Sequence, residues 1–141
     1  MAADDGMEDL RKACGEILRS LPLGYRWRWD DEHHVALVTV ERDRLDPVLG
    51  ALSEHFDREW DFSTIDEAPE AVAGFFRSSL GLFPGQKAFT LENHNGITLF
   101  AVWWPWADEQ KISLRIGMFA TSGQRSDPSE LQDCLMRWFA I

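Results

Sequence analysis

The stretch Gly96-Ile97-Thr98-Leu99-Phe100-Ala101-Val102-Trp103-Trp104-Pro105-Trp106 holds three of the chain's seven tryptophans, and both of its alternating faces are apolar. A strand with one wet face needs apolar residues only at every second position. This strand therefore either lies between two layers or shows an aromatic patch to a partner.

Working outward, Asn95-Gly96 is a dipeptide that favours a two-residue hairpin turn, joining a strand at Lys87–Glu92 to one at Ile97–Trp104. A turn closed there pairs Leu91 with Phe100, Phe89 with Val102 and Ala88 with Trp103. Opposed side chains share a face, so Phe89, Leu91, Phe100, Val102 and Trp104 gather as the expected core face, and Leu99 and Trp103 fall on the other. A third strand, Lys111–Ala120, can sit in two registers. With Trp104 opposite Ile112, all strongly apolar residues collect on one side and Ser113, Arg115 and Gly117 surround Leu99 and Trp103 outside. With Trp104 opposite Lys111, both faces become apolar and both need a cover. The first is preferred because it separates apolar from polar residues most fully. It makes Leu99, Trp103, Trp106 and Arg115 a candidate partner-binding patch, since exposed Trp beside Arg is the composition of an interface hot spot. The competing reading is that a helix covers them as a second core layer, and burial of Trp103 decides against the patch.

The remaining elements follow the same logic. Apolar residues at 7, 10, 14, 17, 18 and 21 mark an amphipathic helix stopped by Pro22 and Gly24. Tyr25, Trp27 and Trp29 alternate with Arg26, Arg28 and Asp30, and His34–Val40 reads as the returning strand of a hairpin. Asp46-Pro47 offers a capping acid and a helix-starting proline for a helix bearing Val48, Leu49, Leu52 and Phe56. A short strand around Trp60 and Phe62 follows. A third helix opens at Ala68-Pro69-Glu70, carries Val72, Phe75, Phe76 and Leu80, and ends at Gly81. Asp127-Pro128-Ser129-Glu130 starts a last helix with Leu131, Cys134, Leu135 and Trp138. The expected order is α-ββ-α-β-α-βββ-α: one α+β domain over residues 1–141, a largely antiparallel sheet with helices on at least one face, and residues 1–6 disordered.

Length and charge bound the function. The chain has 141 residues, enough for one well-buried core, with 45% hydrophobic and 12% aromatic residues. Its net charge is −10, and the whole excess lies in the first half: residues 1–70 hold 18 acids against 8 bases, residues 71–141 hold 6 of each. The acids are densest from Glu54 to Glu70. Such a field repels phosphate backbones and anionic lipid, so neither nucleic acid nor membrane is an expected partner, whereas a basic protein is compatible. No run of about 18 apolar residues occurs, and Met1–Asp9 is acidic where a secretory signal would be basic and then apolar. A cytoplasmic location is expected. Cys14 and Cys134 fall on apolar helix stripes and read as core residues.

No catalytic signature emerges. Asp30-Asp31-Glu32-His33-His34 is the one metal-like cluster, but adjacent strand residues point to opposite faces and no zinc spacing is present, so a polar turn is expected and no metal or cofactor. His55 beside Glu54, and His94, stand alone. Among the carboxylates from Glu54 to Glu70 none is marked as a general acid. In size, charge and helix–sheet mixture the chain resembles the chaperones and immunity proteins with which bacteria bind one secreted protein. Its element order departs from the helix–three strands–helix–two strands–helix pattern of type III secretion chaperones. The resulting expectation is a non-enzymatic protein-binding domain, chaperone-, adaptor- or immunity-like, with homodimerisation as one outcome. The alternative is a small-molecule-binding domain with an aromatic pocket of Trp27, Trp29, Trp60 and Trp104 between sheet and helices.

Overall fold

In the computed structural model, which describes residues 2–21, 27–80, 82–92, 96–107, 110–120 and 128–141, the tryptophan-rich stretch is an inner strand of a six-stranded sheet. The strands are β1 (Arg28–Asp30), β2 (Val35–Glu41), β3 (Arg58–Asp61), β4 (Lys87–Glu92), β5 (Ile97–Pro105) and β6 (Lys111–Ala120). They lie in the order β1-β2-β6-β5-β4-β3, and every neighbouring pair is antiparallel. The edge strands β1 and β3 are short and charged, which discourages edge-to-edge pairing with another chain.

Helices cover both faces. On one side lie α1 (Ala2–Ser20), α2 (Leu45–His55) and α4 (Pro128–Trp138); on the other lies α3 (Glu70–Phe75), continued by a π-helical stretch, Phe76–Leu80. α1 begins within the residues expected to be disordered. Its period is plain: Leu10, Cys14 and Ile17 are buried while Arg11, Lys12 and Glu16 face solvent. They pack with Leu52 of α2, Leu135 of α4 and the inward residues Val38, Leu99 and Leu114. The second core is smaller and richer in rings, with Trp60, Val72, Phe76, Phe100, Val102 and Phe119.

The expected α+β class and element order hold, but the register of the central hairpin does not. Leu91 lies opposite Leu99, Phe89 opposite Ala101 and Ala88 opposite Val102, one residue from the expected pairing. With Glu92 opposite Thr98, an odd number of residues separates the paired ends, and a two-residue turn cannot close such a loop. Each side chain of β5 therefore changes face relative to those of β4. Phe89, Leu99, Ala101 and Trp103 go under α1, α2 and α4, and Phe100, Val102 and Trp104 turn toward α3.

β6 takes neither expected register. Trp104 lies opposite Ser113 and Trp103 opposite Leu114. This is two residues from the pairing of Trp104 with Lys111 and shares its consequence: both faces are apolar and both are covered. Leu99 is 0% and Trp103 7% exposed, so the open aromatic face expected of them is absent.

Smaller differences are local. The helix at residue 45 follows a 3-10 turn, Arg42–Arg44, and no side chain caps it, so Asp46 is a first-turn residue and not the cap. Pro47 still lies where a backbone N–H has no helical partner to lose. Phe62 is outside β3 and exposed. Tyr25, Gly81, His94, Asn95 and Asp127 lie outside the described residues.

Candidate functional site

Strand lengths create the site. β2 begins at Val35, and the outermost pair it makes with β6 at that end is Ala36 with Ile116, but β6 runs on to Ala120. Past that pair β6 has no strand partner on the β2 side among the described residues, and a cavity of about 500 Å³ lies there. Its walls come from six elements: Glu32, His33 and His34 of the β1–β2 turn; Val35 of β2; Phe75 at the end of α3; Phe100 of β5; Met118, Phe119 and Ala120 of β6; and Leu131 and Gln132 of α4. The size is that of sites for small organic ligands, which are apolar with a few convergent polar groups.

The ring wall is built by close packing. Phe75 stacks on Phe119 with centroids 4.0 Å apart and planes 7° from parallel, and it tilts against Phe100 at 5.2 Å. Gly117 lets Val35 and Phe100 close over the backbone, because a Cβ there would lie 2.6 Å from Val35 Cγ1 and 2.7 Å from Phe100 Cζ.

A polar knot forms the turn at the mouth. Asp30 Oδ1 accepts the backbone N–H groups of Glu32 at 3.0 Å and His33 at 3.3 Å. Its Oδ2 accepts from Arg115 Nε at 2.8 Å and lies 2.9 Å from His33 Nδ1. Burial works to raise the Asp30 pKa, but the hydrogen bonds from Arg115 and His33 outweigh it and hold the group at about 2. His34 closes the turn with a left-handed φ of 58° and a backbone N–H donated to the Asp30 carbonyl at 2.7 Å. Arg115 also lies over the Trp104 ring, its Cζ 4.1 Å from the centroid, and His33 meets that ring edge-on at 5.5 Å. Arg115 Nη1 and Trp104 Nε1 are buried without an acceptor among the described residues.

Ligand-capable atoms of Asp30, Glu32 and His33 lie within 4.8 Å of one another. His34, expected not to share an ion with its neighbour His33, is outside this group. The Asp30 carboxylate that an ion would take as ligand is already paired with the Arg115 guanidinium. Elsewhere, Ser20 Oγ and His55 Nε2 are 2.6 Å apart, but the pair is exposed on the contact between α1 and α2 and does not line the cavity described above. Cys14 is buried and its thiol is pushed up to about 12 by burial, which makes it inert as a nucleophile.

The four tryptophans expected to line one pocket are divided. Trp27 and Trp29 pack against the α1/α2/α4 core, Trp27 edge-on to Phe139, whereas Trp60 and Trp104 belong to the α3 side. Trp60 is fixed there by donating Nε1–H to Thr90 Oγ1 at 3.0 Å. A cavity between sheet and helices exists, but its rings are phenylalanines. Of the expected partner patch, Leu99 and Trp103 are core, Arg115 is engaged by Asp30, and Trp106 alone is open at 40% exposure. The cavity residues Phe75, Phe100 and Phe119 could have been singled out only by knowing that they share a face.

No protein-family model matches the chain, and the searches of curated proteins and of solved structures likewise found no significant match. No helix among the described residues is long and apolar enough to cross a membrane.

Proposed function

We propose that this protein is a non-enzymatic binding domain that takes a small apolar molecule into the cavity at the end of β2. The cavity itself carries the reading: about 500 Å³ walled by Val35, Phe75, Phe100, Met118, Phe119 and Leu131, with polar groups only toward the turn and α4. The walls belong to both cores, so they are held by the whole fold and need little ordering on binding. Among the described residues the wall carries no Ser, Thr or Cys, and its polar side chains are Glu32, His33, His34 and Gln132.

The test uses naphthalene as probe, followed by NMR shifts of the Val35 and Met118 methyl groups. Saturable shifts in both are expected. Ala120→Trp, which adds a ring at the half-buried cavity wall, should abolish them while leaving the urea midpoint nearly unchanged. Absence of shifts in the parent protein, or shifts untouched by Ala120→Trp, refutes the reading.

Trp106 favours a second reading, a protein-binding surface with a basic partner. It is exposed yet fixed, with Nε1 donating to Ser113 Oγ at 2.9 Å and Lys111 Nζ 5.2 Å from its ring centroid. An ordered, open tryptophan is the kind of group that anchors an interface at low entropic cost. The exposed acids Glu54, Asp57, Glu59, Asp66, Glu67 and Glu70 supply the complementary field.

A further inference from the structure

Resting on the cavity reading, we propose that His33 is the polar anchor of this site, presenting Nε2 as a hydrogen-bond acceptor, and that the ligand is an apolar alcohol or phenol rather than a carboxylate. The tautomer follows from the neighbours. Asp30 is an ionised acceptor locked in place by Arg115, so the His33 nitrogen facing it, Nδ1, carries the proton. In the neutral imidazole that leaves Nε2 with a lone pair and no donor role.

Nε2 has no partner among the described residues, and unlike Arg115 Nη1 and Trp104 Nε1 it is not sealed from solvent. His33 lines the cavity, so the free nitrogen and the apolar walls serve one space. The ring is held from two sides, by Asp30 at 2.9 Å and by Trp104 edge-on at 5.5 Å, which fixes its direction before any ligand arrives.

Charge selects the head group. The mouth carries the carboxylate of Glu32, and Arg115, the nearby cation, is bound to Asp30 behind it. A ligand carboxylate would meet the Nε2 lone pair and the unpaired Glu32 carboxylate, with no unpaired cation in the wall among the described residues to offset its desolvation. A hydroxyl donates one hydrogen bond to Nε2 and keeps its apolar body against Val35, Phe100 and Phe119. An apolar molecule without a head leaves the Nε2 acceptor desolvated and unmet.

Three probes of one shape separate the possibilities at about pH 8, above the usual imidazole range: naphthalene, 2-naphthol and 2-naphthoate, titrated by NMR against the full chain. 2-Naphthol should bind about tenfold more tightly than naphthalene, and 2-naphthoate more weakly than either. His33→Phe keeps a ring against Trp104 and should erase the preference for 2-naphthol over naphthalene while retaining naphthalene. Imidazole 15N shifts provide a readout independent of that variant's folding. The His33 Nδ1–H tautomer is expected in the free protein, with the Nε2 resonance moving on addition of 2-naphthol. Equal binding of naphthalene and 2-naphthol, a preference for 2-naphthoate, or the Nε2–H tautomer overturns the anchor and leaves the cavity reading standing. If none of the three binds, both fall.

Discussion

Replacing Gly117 by Ala tests the geometry on which the site depends. The added Cβ would lie 2.6 Å from Val35 Cγ1, 2.7 Å from Phe100 Cζ and 3.0 Å from Phe100 Cε2. Carbon atoms in contact prefer roughly 3.5–4.0 Å, so the methyl group overlaps both neighbours by about 1 Å. Neither can swing into solvent, since Val35 is 2% and Phe100 1% exposed. Phe100 is also held by Phe75, Phe76 and Phe119. Overpacking in a tight core costs typically about 1–3 kcal/mol, and two rigid neighbours place Gly117→Ala at the upper end, about 2–3 kcal/mol. With a urea slope of about 1–3 kcal/mol/M, the midpoint should fall by roughly 1 M or more. Val35→Ala removes Cγ1 and with it one of the two overlaps. The double variant should therefore lose less than the two single losses together, by at least about 0.5 kcal/mol, whereas distant sites add. A Gly117→Ala midpoint equal to that of the parent, or strict additivity with Val35→Ala, would refute the claim that Val35 and Phe100 close over a bare backbone.

Other perturbations read different parts of the structure. The Asp30 carboxyl is depressed to about 2 when folded against about 3.9 in an unfolded chain, so its contribution to stability is complete above about pH 4 and is lost as pH falls toward 2. Urea midpoints measured across that window should drop for the parent and drop less steeply for Asp30→Asn; parallel curves count against the Arg115–Asp30–His33 knot. Trp103→Ala, which empties a site 7% exposed beneath three helices, should cost about 3–5 kcal/mol, whereas Trp106→Ala at 40% exposure should cost about 1 kcal/mol or less. Equal midpoints for the two in chemical denaturation would contradict their opposite placements.

Element identity was legible because it depends on period. Leu10, Cys14 and Ile17 mark one helix face by spacing alone, and Lys87–Glu92, Ile97–Pro105 and Lys111–Ala120 are strands as their composition implies. Face assignment was not legible, because it depends on one count in one turn. Asn95-Gly96 argued for a two-residue loop, but Glu92 opposite Thr98 requires an odd number between them. That single step moved Trp103 into the main core and Phe100 onto α3. The preference for one clean apolar face also erred, since Arg115 and Ser113 looked like solvent residues. Arg115 instead places its charge on Asp30 and its flat face on Trp104, and Ser113 accepts from Trp106, so these polar residues sit on a covered face with specific partners there. The metal-like run Asp30–His34 was recognised as a turn, while the pairing of its first acid with an arginine 85 residues away was beyond any local signal.

The knot and the cavity are physically linked through the turn they share. Asp30 holds the N–H groups of Glu32 and His33, so the chain must reverse tightly and β2 cannot start before Val35. β6, paired on its other side with β5 as far as Ala120, continues without it. The gap is therefore a consequence of the same carboxylate that orients His33. A turn serving stability alone would need Asp30 and Arg115 but would place no demand on the second nitrogen of the imidazole. His33→Asn separates these roles, because an amide can still donate toward Asp30 yet does not carry an acceptor to the position of Nε2. The turn should survive that change, with Asp30 still depressed in an acid titration, and selection for a hydroxyl-bearing ligand should not. If hydroxyl selection persists in His33→Asn, the polar knot is structural and the head group of the ligand is read by another wall of the cavity.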